Sequence, residues 1–212
     1  MFTVFIIGNI ASGKSTAARY LEQRGAQRID LDELAKDQYI PGSPLVQQIA
    51  DEFGWDILDA SGAIRLPVLA QRAFADPEAT SRLNGLVHPV VSEQLSLRLL
   101  PVNCCSTVVP QFALTVVEVS APMSFLDAFG LADHVIAVTA PRDVRRGRAI
   151  GRGMCPDDFD SRADVQPSED ELCALADTVI DNTVPDDGLF GALDAWLVDQ
   201  GLDRVLGERA DA

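Results

Sequence analysis

The segment Gly8-Asn9-Ile10-Ala11-Ser12-Gly13-Lys14-Ser15 carries the residue types that wrap a polyphosphate. It satisfies G-x-x-x-x-G-K-[ST] at every fixed position, and the only rival explanation is a chance glycine turn. Glycines let the backbone curl until successive N–H groups point inward as an anion nest. The helix expected to begin there adds the positive end of its dipole. Lys14 is expected to reach the β- and γ-phosphates of a nucleoside triphosphate, while the Ser15 hydroxyl takes a magnesium coordination position. Thr16 assists by packing or by bonding another phosphate. The expected nucleotide-binding set is therefore Gly8, Asn9, Ile10, Ala11, Ser12, Gly13, Lys14, Ser15 and Thr16.

Two further clusters carry chemistry. Asp30-Leu31-Asp32 closes what reads as the second strand, and its C-terminal end should open onto the same crevice as the phosphate loop. A carboxylate there accepts a hydroxyl proton or holds magnesium, the two needs of a kinase. Capping of the following helix is assigned to Asp30 and the crevice role to Asp32. Later, Arg142, Arg145, Arg146, Arg148 and Arg152 lie within eleven residues, in a chain whose formal net charge is −15. Such a cluster either meets an anionic substrate or is a solvated face paired to the acidic stretch that follows; Arg145 is expected at the surface.

The elements that must position these groups are legible in outline. Residues 2–7 form a short apolar run, the pattern of a strand buried on both faces of a parallel sheet. A helix is expected over 15–24, a strand over 27–30 and a helix over 31–39, stopped by Pro41-Gly42-Ser43-Pro44. Helices at 45–53, 67–74, 77–86 and 89–100 follow, the last two separated by His88-Pro89. Sheet character returns at 107–119, with the strand proper starting near Ala113, then at 134–139 and 178–180. Residues 153–168 read as a polar, acidic stretch followed by a short helix, and a last amphipathic helix spans about 187–202. Strands alternating with helices imply an α/β fold, a doubly wound parallel sheet of about five strands. The domain plan is a nucleotide-binding core at 1–43 and 101–205, a helical insert at 44–100 and a flexible tail at 206–212.

Composition bounds the partners. With 212 residues, 47% hydrophobic and 23% charged, the chain can build a full core. Its net negative charge repels nucleic acid. The first residues lack a basic leader and a membrane-length apolar run, so a soluble cytoplasmic protein with no membrane partner is expected. Cys104, Cys105, Cys155 and Cys173 show no metal-ligand spacing and read as free thiols. His134, Trp55 and Trp196 are expected to be structural, with both tryptophans in the core.

Beyond the phosphate loop, the order of several motifs resembles the dephospho-coenzyme A kinase family. These are Ile29-Asp30-Leu31-Asp32, Pro41-Gly42-Ser43-Pro44, Phe53-Gly54, Phe74-Ala75-Asp76-Pro77, Leu83 with His88-Pro89, Arg148 with Arg152, Arg162 with Gln166, and Ala176-Asp177-Thr178-Val179-Ile180-Asp181-Asn182. The resemblance implies transfer of the ATP γ-phosphate to the ribose 3′-hydroxyl of dephospho-coenzyme A, as monomer or weak oligomer. It implies Asp32 as base, as substrate contact and as magnesium ligand beside Ser15. Lys14, Arg148 and Arg152 would share catalysis, the two arginines starting a lid over about 148–166. The insert would bind the acceptor through Arg65 and His88, although His88 reads equally as a cap. Asn182 would meet the adenine or serve only as a turn residue.

The chain departs from the family on the acceptor side. Leu66 stands where an arginine is expected, with Arg65 one place earlier. The third strand exits through Glu118-Val119-Ser120-Ala121-Pro122-Met123-Ser124-Phe125, where the family shows P-L-L-x-E, leaving Glu118 or Asp127 to supply the charge. Gly153 follows Arg152 where an aspartate is usual. Another small-molecule or nucleoside-monophosphate kinase, or a nucleotide-binding homologue of reduced activity, are the competing readings.

Overall fold

Strand β1 (Phe2–Ile7) is buried over five of its six residues and forms the centre of the sheet. In the computed structural model the described residues are 1–99, 112–184, 187–204 and 206. The other strands are β2 (Gln27–Asp30), β3 (Leu114–Val119), β4 (His134–Thr139) and β5 (Thr178–Asp181). All pair in parallel in the order β2-β3-β1-β4-β5. The chain steps to one side of β1 for β2 and β3 and to the other for β4 and β5. That reversal opens a crevice at the carboxyl ends of the central strands.

Helices α1 (Lys14–Gln23) and α9 (Asp187–Asp199) cover one sheet face. Alternation along β1 sends Val4 and Ile6 into that layer, among Ala17, Leu21, Leu193 and Trp196. Phe5 meets Phe129 edge-on at 5.5 Å. Leu206 joins the α1–α9 core, correcting the expectation that the tail begins there; 207–212 lie outside the described residues. So do 107–111 of the expected third strand, and Cys104 and Cys105, while Cys155 and Cys173 are free thiols.

After β4 come α6 (Arg142–Gly151), α7 (Pro156–Asp164) and α8 (Glu169–Ala174). Helix α7 lies inside the stretch that reads only as polar and acidic. Pro156 at its start and Asp157 and Asp158 in its first turn favour it. A reciprocal capping box of Ser168 and Glu171 begins α8.

Two compact units result: Met1–Asp30 with the described residues of 101–212, and Leu31–Leu100. The second unit holds α2 (Leu31–Asp37), α3 (Pro44–Phe53), α4 (Leu66–Ala73) and α5 (Pro77–Leu99). Ser43 caps α3 by accepting from the Val46 N–H at 3.3 Å. Helices α2, α3 and α4 each pack on α5.

Helix α5 corrects the expected break at Pro89, which is interior to one continuous helix. Ala79, Leu83, Val87, Val91, Leu95 and Leu99 recur every four residues and are all buried. Each of the larger side chains contributes roughly 1.5–3 kcal/mol, so that together they outweigh an interior proline costing about 3 kcal/mol. His88 is therefore a helix-interior residue and not a cap. Trp55 corrects another expectation: it is 60% exposed, with its indole N–H donating to Asp51, whereas Trp196 is buried in the core.

Candidate active site

The loop between β1 and α1 has the backbone that its composition requires. A Cβ on Gly8 would stand 2.5 Å from the Val138 carbonyl oxygen, and one on Gly13 would stand 2.1 Å from Asn182 Nδ2. Neither contact is tolerable. Gly13 and Ala11 also take positive φ, 109° and 61°. Gly13 caps α1 without a side-chain bond, and the first turn of α1 carries no acid. Its N–H groups and dipole are thereby left to an anion.

Three segments from far along the chain fasten this loop. Gln166 Oε1 accepts the Ile10 N–H at 2.9 Å, and Asn9 Nδ2 donates to the Pro167 carbonyl at 2.9 Å. Asn182 Nδ2 donates to the Ser12 carbonyl at 2.7 Å. Arg148 donates to the carbonyl of Asn182 at 2.7 Å and to that of Ser12 at 3.5 Å. Arg145, expected at the surface, is buried and donates to the Ala140 carbonyl at 2.9 Å and that of Ile10 at 3.4 Å. Burial lowers its pKa, and it acts as a strut beneath the loop.

The arginines of α6 divide by face. Arg142 and Arg146 pair with Asp160 and Asp164 of α7 at the surface. Arg148 and Arg152, one turn apart, line a cavity of about 250 Å³ together with Gly13, Thr16, Asn182, Leu189 and Phe190. This cavity adjoins the loop and brings two cations to it.

Glu118 is the group the sequence left ambiguous. Its neighbours in the sheet are Ile6 of β1 and Asp30 of β2, at the carboxyl ends of all three strands. Its buried Oε1 accepts from Lys14 Nζ at 2.8 Å and from the Ser15 hydroxyl. Its Oε2 accepts from Arg28 Nη2 at 2.7 Å, and Arg28 also donates to Asp30 at 2.9 Å. Lys14 Nζ donates further to Ser120 Oγ at 3.0 Å. Burial alone raises the Glu118 carboxyl, but the charge and bond of Lys14, helped by Ser15 and Arg28, hold it at about 2. Two cations and two carboxylates thus neutralise one another at the mouth of the loop. Asp127, the alternative source of charge, is exposed on a 3-10 turn.

The first unit therefore gathers Lys14, Ser15, Thr16, Arg148, Arg152 and Asn182, together with Glu118, one of the two candidates for the third-strand charge, and Gln166, with Arg28 added by the structure. Asp32, Arg65 and His88 belong to the second unit. Asp32 is exposed in the first turn of α2. Arg65 stands at the start of α4 without a side-chain cap and donates to the Asp56 carbonyl, and His88 is half-buried on α5. The signal that could have chosen Glu118 over Asp127 is its place as a lone carboxylate near the end of an apolar strand, Leu114-Thr115-Val116-Val117-Glu118-Val119, where a solvated face is not available.

Oxygen donors suit a hard cation. The Ser15 hydroxyl and the Glu118 carboxylate lie together at the α1 N-terminus, and magnesium typically uses one or two protein oxygens beside phosphates and water.

Comparison with known proteins agrees over the whole architecture. Residues 2–186 match the family profile described as CoaE, dephospho-CoA kinase. The dephospho-CoA kinase of Frankia casuarinae is 37% identical over 182 residues, covering 86% of this chain and 76% of the relative. That of Anaeromyxobacter dehalogenans is 35% identical, covering 94% and 92%. The crystal structure of TT1252 from Thermus thermophilus superposes with a TM-score of 0.73 at 28% identity, covering 93% of this chain and 97% of that one.

Proposed function

The chain belongs to the dephospho-CoA kinase family, and we propose that it transfers the γ-phosphoryl group of ATP to the ribose 3′-hydroxyl of dephospho-coenzyme A, completing coenzyme A. The observation that carries this reading is the Lys14–Ser15–Glu118 cluster at the mouth of the phosphate loop. It supplies the cation and the hard oxygens that a triphosphate and its metal require.

In this reading ATP lays its phosphates on the loop N–H groups, and its base enters the cavity beside Leu189 and Phe190. Lys14 turns from Glu118 onto the β- and γ-phosphates. Magnesium, held by Ser15 and oriented by Glu118, would neutralise phosphate charge. Arg148 and Arg152 offset the charge that develops on the transferred group. Asp32 takes the proton of the attacking hydroxyl, and the helical unit binds the acceptor through Arg65 and His88. The Asn182 amide nitrogen is committed to Ser12, so its part in nucleotide binding is to hold the loop. Among the described residues no helix is long and apolar enough to cross a membrane.

The test is direct. Purified protein with ATP, magnesium and dephospho-coenzyme A should give 3′-phosphorylated product, detected by mass spectrometry. Folded, ATP-binding protein that yields none would refute the activity.

A further inference from the structure

Glu118 is shared by three donors, and one of them lies outside the phosphate loop. Lys14 and Ser15 both use Oε1. Arg28, on β2, takes the other oxygen through Nη2 at 2.7 Å and Nε at 3.3 Å, and is itself anchored to Asp30 at 2.9 Å. The Glu118 side chain is only 3% exposed. Arg28 does not line the cavity beside the loop.

The consequence concerns the exchange that ATP must cause. Lys14 already donates to Glu118 and Ser120, so binding phosphates requires it to surrender at least part of that attachment. A buried carboxylate deprived of its cation is strongly destabilised. Arg28 removes that obstacle, because it holds the other oxygen and does not need to move.

We propose that Arg28 is a positioning residue, the fixed counter-ion of Glu118 that allows Lys14 to pass from the carboxylate to the phosphates. The proposal rests on the reading of Lys14 as the phosphate-binding lysine. It assigns to Arg28 an effect on nucleotide affinity without contact with nucleotide.

Calorimetric titration of ATP in the presence of a chelator tests this without metal or acceptor. Arg28→Met should weaken ATP binding about tenfold or more, because Lys14 can then leave only by stranding Glu118. Arg28→Lys, which keeps the charge, should recover most of the affinity. In a Glu118→Gln background Arg28→Met should have no further effect, since no carboxylate remains to be stranded. Wild-type affinity in Arg28→Met, or an equal loss in both backgrounds, overturns the proposal. Should Arg28→Met fail to fold, the comparison passes to Arg28→Lys, expected to show a smaller loss with Glu118 present and none in the Glu118→Gln background. If the wild-type protein itself binds no ATP, it is the phosphate-site reading that falls.

Discussion

Replacing Gly13 by alanine probes how tightly Asn182 sets the phosphate loop. The new Cβ would stand 2.1 Å from Asn182 Nδ2, a separation that no packing tolerates. The amide must swing away and lose its buried 2.7 Å bond to the Ser12 carbonyl. That loss costs about 1–3 kcal/mol. Gly13 also holds φ at 109°, a conformation that adds about 1–2 kcal/mol for an L-residue. A total of about 3 kcal/mol follows, equivalent to roughly a hundredfold in ATP affinity if it falls on closing the loop. If it falls on the unit as a whole, melting drops by about 6–12 °C. Calorimetric ATP binding and a thermal melt separate the two. The decisive comparison repeats Gly13→Ala in an Asn182→Ala background, where only the backbone cost of about 1–2 kcal/mol should remain. Equal losses in both backgrounds would show that Asn182 has no part in the requirement for glycine.

Other outcomes follow from the same geometry. Lys14→Ala should abolish turnover in the coupled kinase assay, while Arg28 keeps Glu118 paired and the protein folded. Asp32→Asn should depress kcat strongly with ATP affinity unchanged, and near-normal kcat would exclude it as the base. Arg148→Ala should raise the KM for ATP, since its bonds to Ser12 and Asn182 and its place in the cavity are lost together. Arg146→Ala, which breaks only a surface pair with Asp160, should leave kcat and KM at wild-type values. Pro89→Ala restores a donor to an exposed position inside α5 and should stabilise the helical unit by about 1–3 kcal/mol in a thermal melt. An unchanged or lower melting temperature would mean that the α5 backbone already accommodates the ring.

The phosphate loop and the strands around it were legible because they are local. Eight consecutive residues state the loop, and short apolar runs bounded by turns state the buried strands. What escaped is what depends on pairing across the chain. Glu118 becomes part of the site only because β3 lies beside β1 in a register that sets it next to Ile6. Arg145 sits one residue from the surface arginine Arg146, and only the packing of α6 against the loop tells them apart. Helix α7 was hidden by its aspartates, which are poor helix formers until Arg142 and Arg146 pair with them. Continuous α5 defied its proline because a six-residue buried row outweighs one missing bond. Asn182 offered base recognition or a turn, and nothing local announced that its amide would donate to a carbonyl 170 residues earlier.

That last separation has a bearing on synthesis. The loop at residues 8–15 leaves the ribosome almost first, yet its fasteners at 118, 148, 166 and 182 leave much later. A nascent chain can begin α1 early, but the loop has its full set of fasteners only once residue 182 has emerged. Contacts of such sequence separation close slowly and late. Full anchoring of the phosphate loop is thus a late event in the making of the chain.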